Sequence, residues 1–363
     1  MSKRIIIAGG GTGGHIFPAL AIASALRRQE PGIEILFVGA KGKMEMEKIP
    51  QAGYRIEGID IAGYNRSSLI KNLSLPYKLI KSFFQVKKIF SEYKPQAAIG
   101  VGGYSTFPVL RYAQARGIPT FIHESNSFAG KSNKLLGKKA TRIFAASDGM
   151  QKFFPADRLI HSGNPVRQTV VANTISREQG LAFFGLETKY TTVFVTGGSL
   201  GAKSMNEAIG HGMSQLLKNN IQLIWQTGKS YAKEAAAFAV ESKLLWTGEF
   251  ISGMENAYAA ADIVVSRSGS VLYELCAVKK AVIFVPYPYA TEDHQTVNAQ
   301  NLVDKNAAIM ISDAAAREQL VPEILALAKN KELQESLKNN IGKLAITDAD
   351  EKIALEILKV LNG

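Results

Sequence analysis

The residues whose types and spacing could do chemistry sit in a few short stretches. The first is GGGTGGH, Gly9 to His15, which follows the β-branched run Ile5–Ile7 and precedes a helix-like apolar pattern. A glycine-rich turn between strand and helix suits an anion, because backbone N–H groups and the helix dipole converge there. At Thr12, Gly13 and Gly14 small residues let a ligand approach the backbone closely; a tight turn with nothing bound is the alternative. His15, whose ordinary pKa is about 6.5, suits proton removal from a hydroxyl, or else pads a domain interface. Glu124 closes the run TFIHE and is the rival base, or a carboxylate that only holds its loop. Asn126 nearby can both donate and accept hydrogen bonds. Arg167 follows GNP and offers a planar fork to phosphate, or a surface salt bridge. A second glycine turn, TGGSLGA, carries Ser199, whose hydroxyl joins the backbone amides as a phosphate ligand at a helix N-terminus. Glu274 can accept from both hydroxyls of a diol, or be an ordinary helix carboxylate. Asp293 is expected to cap the helix that follows it. The triplet Asp348-Ala349-Asp350 has the form of a metal-holding pair, but it opens a helix, where acids complement the dipole and cap the end; capping is the expectation, and no divalent ion is invoked.

The elements that must position these groups alternate. Strands are expected at Arg4–Ala8, Ile33–Val38, Ala97–Val101, Thr120–His123 and Arg142–Ala145, with helical patterns such as Phe17–Arg28 and Pro76–Ser91 between them. This is the rhythm of βαβ units and a parallel sheet. It pauses near IHSGNPVRQTVV and restarts with TTVFVTGGSLGAKSMNEAIGHGM, then continues through Ile221–Gln226, Ile263–Ser266 and Ala281–Val285. Two doubly wound α/β domains joined near Gly163–Val170 are expected, facing each other across a cleft. Ligands in such sheets sit beyond the carboxyl ends of the strands, and the candidate residues lie in loops that follow strands.

The totals narrow the class. A chain of 363 residues suits two domains, and 46% hydrophobic with 20% charged residues suits a globular protein with real cores. One cysteine, Cys276, excludes an internal disulfide and a cysteine-based zinc site and fits a reducing cytoplasm. The opening apolar stretch breaks into glycines too soon for a signal peptide. No apolar run approaches the ~18–20 residues that span a bilayer. The net charge of +12 admits nucleic acid, an anionic membrane or anionic substrates; no nucleic-acid module or aromatic–basic interleaving accompanies it. Gly9-x-Gly11-x-x-Gly14 fits the dinucleotide fingerprint, but the second strand ends in Gly39, Ala40 and Lys41. It offers no carboxylate for an adenosine ribose, although Lys41 leaves a 2′-phosphate open. A dehydrogenase is disfavoured.

One further pattern concerns NLSLPYKLIKSFFQVKKIFSEYK. At helical spacing Leu75, Leu79, Phe83, Val86 and Phe90 form a stripe that suffices to dock the helix. Leu73, Tyr77, Ile80 and Phe84 form a second stripe, flanked by Lys81 and Lys88 on one side and Lys87 on the other. An apolar strip with basic edges suits an anionic membrane interface; cover by a neighbouring loop or domain is the alternative.

Taken in order, GGGTGGHIFPALAIA, GVGGYSTFP, HESN, GNPVR, GGSLGA, SRSG with Glu274 after it, and DHQTVNA resemble the MurG family, the peripheral-membrane glycosyltransferases that add N-acetylglucosamine to lipid I in peptidoglycan synthesis. SVLYE after SRSG is one residue shorter than the family pattern, and His294 stands where some members carry glutamine. The resemblance implies a GT-B architecture. It divides the chain into residues 1–165 for lipid acceptor and membrane, 166–340 for the UDP-sugar donor, and a final helix in 341–363 that returns to the first domain. It places Thr12, Gly13, Gly14, Asn126, Arg167, Ser199, Ile251, Glu274 and Gln295 at the substrates, with Ile251 facing uracil, Glu274 on the ribose and Gln295 on a sugar hydroxyl. It implies an inverting transfer from UDP-N-acetylglucosamine to the 4-hydroxyl of a muramyl lipid diphosphate, at the cytoplasmic face of the cell membrane and beside other cell-wall synthesis proteins.

Overall fold

The computed structural model describes residues 2–63 and 73–363; Asn72, which opens the amphipathic stretch quoted above, lies outside them. Two compact units emerge, one of residues 1–167 with 347–363, the other of residues 168–346.

The first unit holds a seven-stranded sheet of β1 (Arg4–Ala8), β2 (Glu34–Ala40), β3 (Arg55–Ile59), β4 (Ala97–Gly100), β5 (Thr120–Glu124), β6 (Arg142–Ala145) and β7 (Leu159–His161). The spatial order is β3-β2-β1-β4-β5-β6-β7, and every pairing is parallel. Runs such as IIIA and ILFV are apolar on both sides, as strands covered by helices on both faces must be. Two apolar cores result. One packs Ile5, Ile7, Ile22 and Phe37, the other Ile6, Val38, Val86 and Ile122. The helix Ala349–Asn362 lies against the helix Gly13–Gln29 and adds Ile353, Ala354, Ile357 and Leu358 to the first core.

The second unit holds β8 (Thr191–Thr196), β9 (Ile221–Gln226), β10 (Leu245–Gly248), β11 (Ile263–Ser266), β12 (Ala281–Phe284) and β13 (Ile309–Met310). Their order is β10-β9-β8-β11-β12-β13, again parallel throughout. In each sheet the order reverses beside one strand, β1 in the first and β8 in the second. Crevices at such switch points are where open α/β sheets take ligands. The two glycine turns follow these two strands.

Among the described residues no helix is long and apolar enough to cross a membrane. The helix Leu75–Tyr93 is docked as its first stripe requires, through Val86 and Phe90. The second stripe is outside: Leu73, Tyr77, Ile80 and Phe84 are between 60% and 80% exposed. Lys81, expected as a basic flank, is paired with Asp60 at 3.0 Å. Gln85 Nε2 donates to the same carboxylate at 2.8 Å, and these partners hold Asp60 at about 2. Lys87 is exposed, and Lys88 makes a long surface pair with Glu92 at 3.8 Å.

The acidic triplet before the last helix does not cap as expected. Asp350 is buried and accepts from Arg28 Nη2 at 2.9 Å, while Asp348 stands at the N-cap but pairs with Lys352 at 3.0 Å and makes no side-chain cap bond. The guanidinium and ammonium bring a full opposite charge, where a backbone N–H brings only a dipole.

Candidate active site

The first glycine turn holds an anion, and it is the protein's own. Glu45, 1% exposed, accepts from Gly11 N–H at 2.7 Å and from Ala40 N–H at 3.0 Å. A Cβ at Gly10 would meet its carboxyl carbon at 2.2 Å, so that glycine is needed for the carboxylate to fit. The helix Gly13–Gln29 starts two residues after Gly11, with Thr12 at its N-cap. The first-turn N–H groups of Gly13 and Gly14 have no partner within the helix by its geometry.

His15 is half-buried on that first turn. Its Nδ1 lies 3.1 Å from Gly10 O. A carbonyl takes only a donor, so this contact puts the proton on Nδ1 and makes Nε2 the basic nitrogen. The imidazole rests over Gly102, where a Cβ at φ +100° would come within 2.6 Å of Nε2. Thr106 Oγ1 lies 3.0 Å from both Ala8 O and Gly102 O and ties the loops after β1 and β4 together.

Glu124 is not placed as a base. One oxygen accepts from Asn126 N at 3.2 Å and Asn126 Nδ2 at 3.1 Å. The other accepts from Gly130 N at 3.1 Å and Asn133 Nδ2 at 2.9 Å. Four donors on a buried carboxylate hold the loop after β5 and aim Asn126. Arg167 lies within the first unit, with its guanidinium 4.7 Å from the Phe17 ring centroid, a cation–π arrangement.

His123 on β5 is fully buried, and burial, partly offset by the Gly163 backbone, pushes its pKa down to about 4 from 6.5. Between those values the unfolded chain binds a proton that the folded chain refuses. Its contribution is therefore whole above pH 6.5 and declines as pH falls toward about 4, by roughly 3 kcal/mol in all. Urea unfolding at pH 7 and pH 4.5 should show His123→Leu losing less stability over this window than the wild type. Equal losses would mean His123 is not held neutral.

In the second unit the turn after β8 is closely packed. A Cβ at Gly201 would lie 2.0 Å from Thr227 O, and Gly201 itself has φ +77°. Ser199 is half-buried in this turn, just before the helix Lys203–His211. Gln226, which sequence reasoning misses, organises the region. Its Nε2 donates to Thr196 Oγ1 at 3.1 Å and Gly198 O at 3.0 Å, and its Oε1 accepts from Ile251 N–H at 2.9 Å. Ile251, expected to face uracil, is buried with its N–H engaged by Gln226.

Glu274 lies in the first turn of the helix Val271–Ala277, nearly buried, and accepts from Tyr258 O–H at 2.8 Å. Gln295 Oε1 accepts from Tyr287 N–H at 2.9 Å, and Ser268 Oγ donates to Gln295 O at 2.7 Å. These bonds join the loops after β11 and β12. Asp293, expected as a cap, has φ +51° and makes no side-chain bond to the backbone; it accepts from Thr296 Oγ1 at 2.7 Å. Arg267, also missed, donates to Val285 O and Pro286 O at 2.9 Å each, to Asp313 at 2.5 Å and to Ser204 at 3.1 Å. The signal was in SRSG, but its partners are non-local.

Two Rossmann-like units with glycine turns at both switch points, a poised imidazole in one and a buried carboxylate beside a helix N-terminus in the other, define a class. Profiles of glycosyltransferase family 28 match both, the N-terminal domain over residues 5–145 and the C-terminal domain over residues 192–353. The chain belongs to this family and has the GT-B fold. It is 50% identical over 361 residues to the UDP-N-acetylglucosamine–N-acetylmuramyl-(pentapeptide) pyrophosphoryl-undecaprenol N-acetylglucosamine transferase of Phocaeicola vulgatus, covering 98% of this chain and 96% of that one. The crystal structure of Acinetobacter baumannii MurG matches with a TM-score of 0.76 at 27% identity, covering 98% of this chain and 99% of that one. A UDP-GlcNAc 2-epimerase from Neisseria meningitidis, solved bound to UDP-GlcNAc, shares the fold at 14% identity, with a TM-score of 0.68 and coverage of 98% and 100%.

Proposed function

We propose that this chain is an inverting glycosyltransferase that moves N-acetylglucosamine from UDP-N-acetylglucosamine to the 4-hydroxyl of the muramyl sugar of lipid I, giving lipid II for peptidoglycan. The observation that carries this reading is the 50% identity to the Phocaeicola vulgatus transferase across nearly the whole of both chains. His15 Nε2 takes the proton of the acceptor hydroxyl as that oxygen attacks the anomeric carbon, and UDP leaves from the opposite face. The diphosphate is held by amides of the turn around Ser199 and the helix N-terminus behind it, with Arg167, in the manner of a preorganised oxyanion site and without a divalent ion. Thr12, Gly13, Gly14 and Asn126 line the first unit's side, where the acceptor binds. Ile251, Glu274 and Gln295 hold the donor's base, ribose and sugar. The exposed strip of Leu73, Tyr77, Ile80 and Phe84, with Lys87 and Lys88, seats the enzyme peripherally on the anionic cytoplasmic face of the membrane, where other cell-wall synthesis proteins act; no nucleic acid is involved.

Incubation with UDP-N-acetylglucosamine and a lipid I analogue tests the reading. Disaccharide product supports it. Release of N-acetylmannosamine and UDP without acceptor would replace it with an epimerase.

Glu274→Ala should weaken UDP and UDP-N-acetylglucosamine alike, since hydrogen bonds to a charged group contribute roughly 1.5–3 kcal/mol. Tyr258→Phe, which removes only the hydroxyl that donates to Glu274 and keeps the ring, serves as the comparison. Unchanged UDP affinity by calorimetry in a folded Glu274→Ala protein would remove Glu274 from the donor site.

A further inference from the structure

The Gly10 carbonyl and the Gly11 N–H belong to one peptide group. A trans peptide holds its N–H and C=O on opposite sides of a single plane. On one side Glu45 accepts from Gly11 N–H at 2.7 Å; on the other, His15 Nδ1 meets Gly10 O at 3.1 Å. The order is carboxylate, peptide, imidazole.

We propose that Glu45 is a positioning residue for the transfer reaction, which orients and polarises the Gly10–Gly11 peptide so that it holds the proton of His15 on Nδ1 and strengthens Nε2 as the base. This rests on the assignment of His15 as base in the proposed function.

The physical case has three parts. The carboxylate is 1% exposed, so bulk water screens it little and its field on neighbouring dipoles is large. It is fixed at both oxygens, by Gly11 N–H and by Ala40 N–H at 3.0 Å, and it is packed so closely that a Cβ at Gly39 would fall 2.6 Å from its Cγ. The chain entering this peptide is held too, because the N–H of the preceding peptide, Gly10 N–H, donates to Gly102 O at 3.1 Å. Hydrogen bonds in a chain strengthen one another, so a negative charge on the N–H side makes the carbonyl a better acceptor. A better acceptor at Nδ1–H stabilises the imidazolium that forms when Nε2 takes a proton. No proton leaves Glu45, and none crosses the peptide.

His123 is electrostatically coupled to His15, and Arg167 and Glu124 are further charged groups of the same unit. His123 on β5 opposes its charge but stays neutral down to about 4. Arg167, stacked on Phe17 of the same helix, keeps a constant positive charge. Glu124 is held by four donors on β5 and its loop.

The test uses the full chain with isotope-labelled histidine. In the wild type, nitrogen shifts of neutral His15 are expected to report Nδ1–H; an Nε2–H tautomer overturns the proposal without any variant. In Glu45→Gln the His15 pKa should fall by about 1, and the acid limb of the kcat/KM profile should move with it. Turnover should fall roughly tenfold, with KM for the donor little changed. Glu45→Asp keeps the charge and should restore part of both. If Glu45→Gln does not fold, the wild-type tautomer and Glu45→Asp still decide. In a His15→Ala background, Glu45→Gln should cost no further turnover; a full additional loss would show that Glu45 only holds the loop. Normal turnover of His15→Ala itself would sink the base assignment, whereas a normal His15 pKa in folded Glu45→Gln sinks only the relay.

Discussion

His15→Ala is expected to lower kcat roughly 100- to 10,000-fold, the span of a single positioned general base, with donor affinity little changed. The expectation comes from geometry. The imidazole sits on the first turn of a helix, its Nδ1 committed to Gly10 O, and packs so closely on Gly102 that a Cβ there would come within 2.6 Å of Nε2. The other candidate, Glu124, has four donors on its two oxygens. Taking a proton there would set an O–H against one of those N–H donors. Steady-state kinetics with a soluble lipid I analogue, beside calorimetry with UDP, separates turnover from binding. Near-normal turnover in a folded variant would move the base role to another group.

Ile80→Glu with Phe84→Glu should abolish co-sedimentation with anionic vesicles while UDP binding stays intact. Both side chains are more than half exposed, at 60% and 69%, so charges are accommodated there without opening the core. Two apolar side chains of this size give roughly 3–6 kcal/mol when removed from water, enough to decide a peripheral association. Activity on a water-soluble acceptor should persist and activity on vesicle-embedded lipid should fall. Lys81→Ala gives a finer comparison: its charge is committed to Asp60, so it should affect vesicle binding less than Lys87→Ala. Vesicle binding by the double variant at the wild-type level would place the membrane face elsewhere.

Much of this molecule was legible in its residues. The apolar runs at Ile5, Leu36, Val193 and Val264 are unbroken because both sheets are covered on both faces, and the glycine turns announce the switch points. Short strands were harder: β13 has two residues and β7 three, too few for any period, while β3 carries charged residues on one face. Of the acids read as caps, Asp348 and Asp350 went instead to Lys352 and Arg28, and Asp293 to the Thr296 hydroxyl. That preference depends on who is near, and Arg28 is brought to Asp350 only by tertiary packing. Glu45 was invisible for the same reason. In AKGKMEMEK it looks like part of a solvated charged run, and only the folded approach of the glycine turn reveals what it binds. Gln226 and Arg267 likewise draw their meaning from loops far away in sequence. The exposed strip on Leu75–Tyr93 could be read because helical spacing is local.

The helix Ala349–Asn362 completes a core begun by residues made at the other end of the chain. A ribosome releases Ile5, Ile22 and Phe37 first and Ile353, Ile357 and Leu358 only after the whole of the second unit. The three late side chains bury apolar area equivalent to roughly 5–9 kcal/mol, comparable with the net stability of a typical domain. Until they arrive, the helix Gly13–Gln29 presents an uncovered apolar face to the cell. The first unit therefore closes its core only after the second unit, continuous from residue 168 to residue 346, has been synthesised.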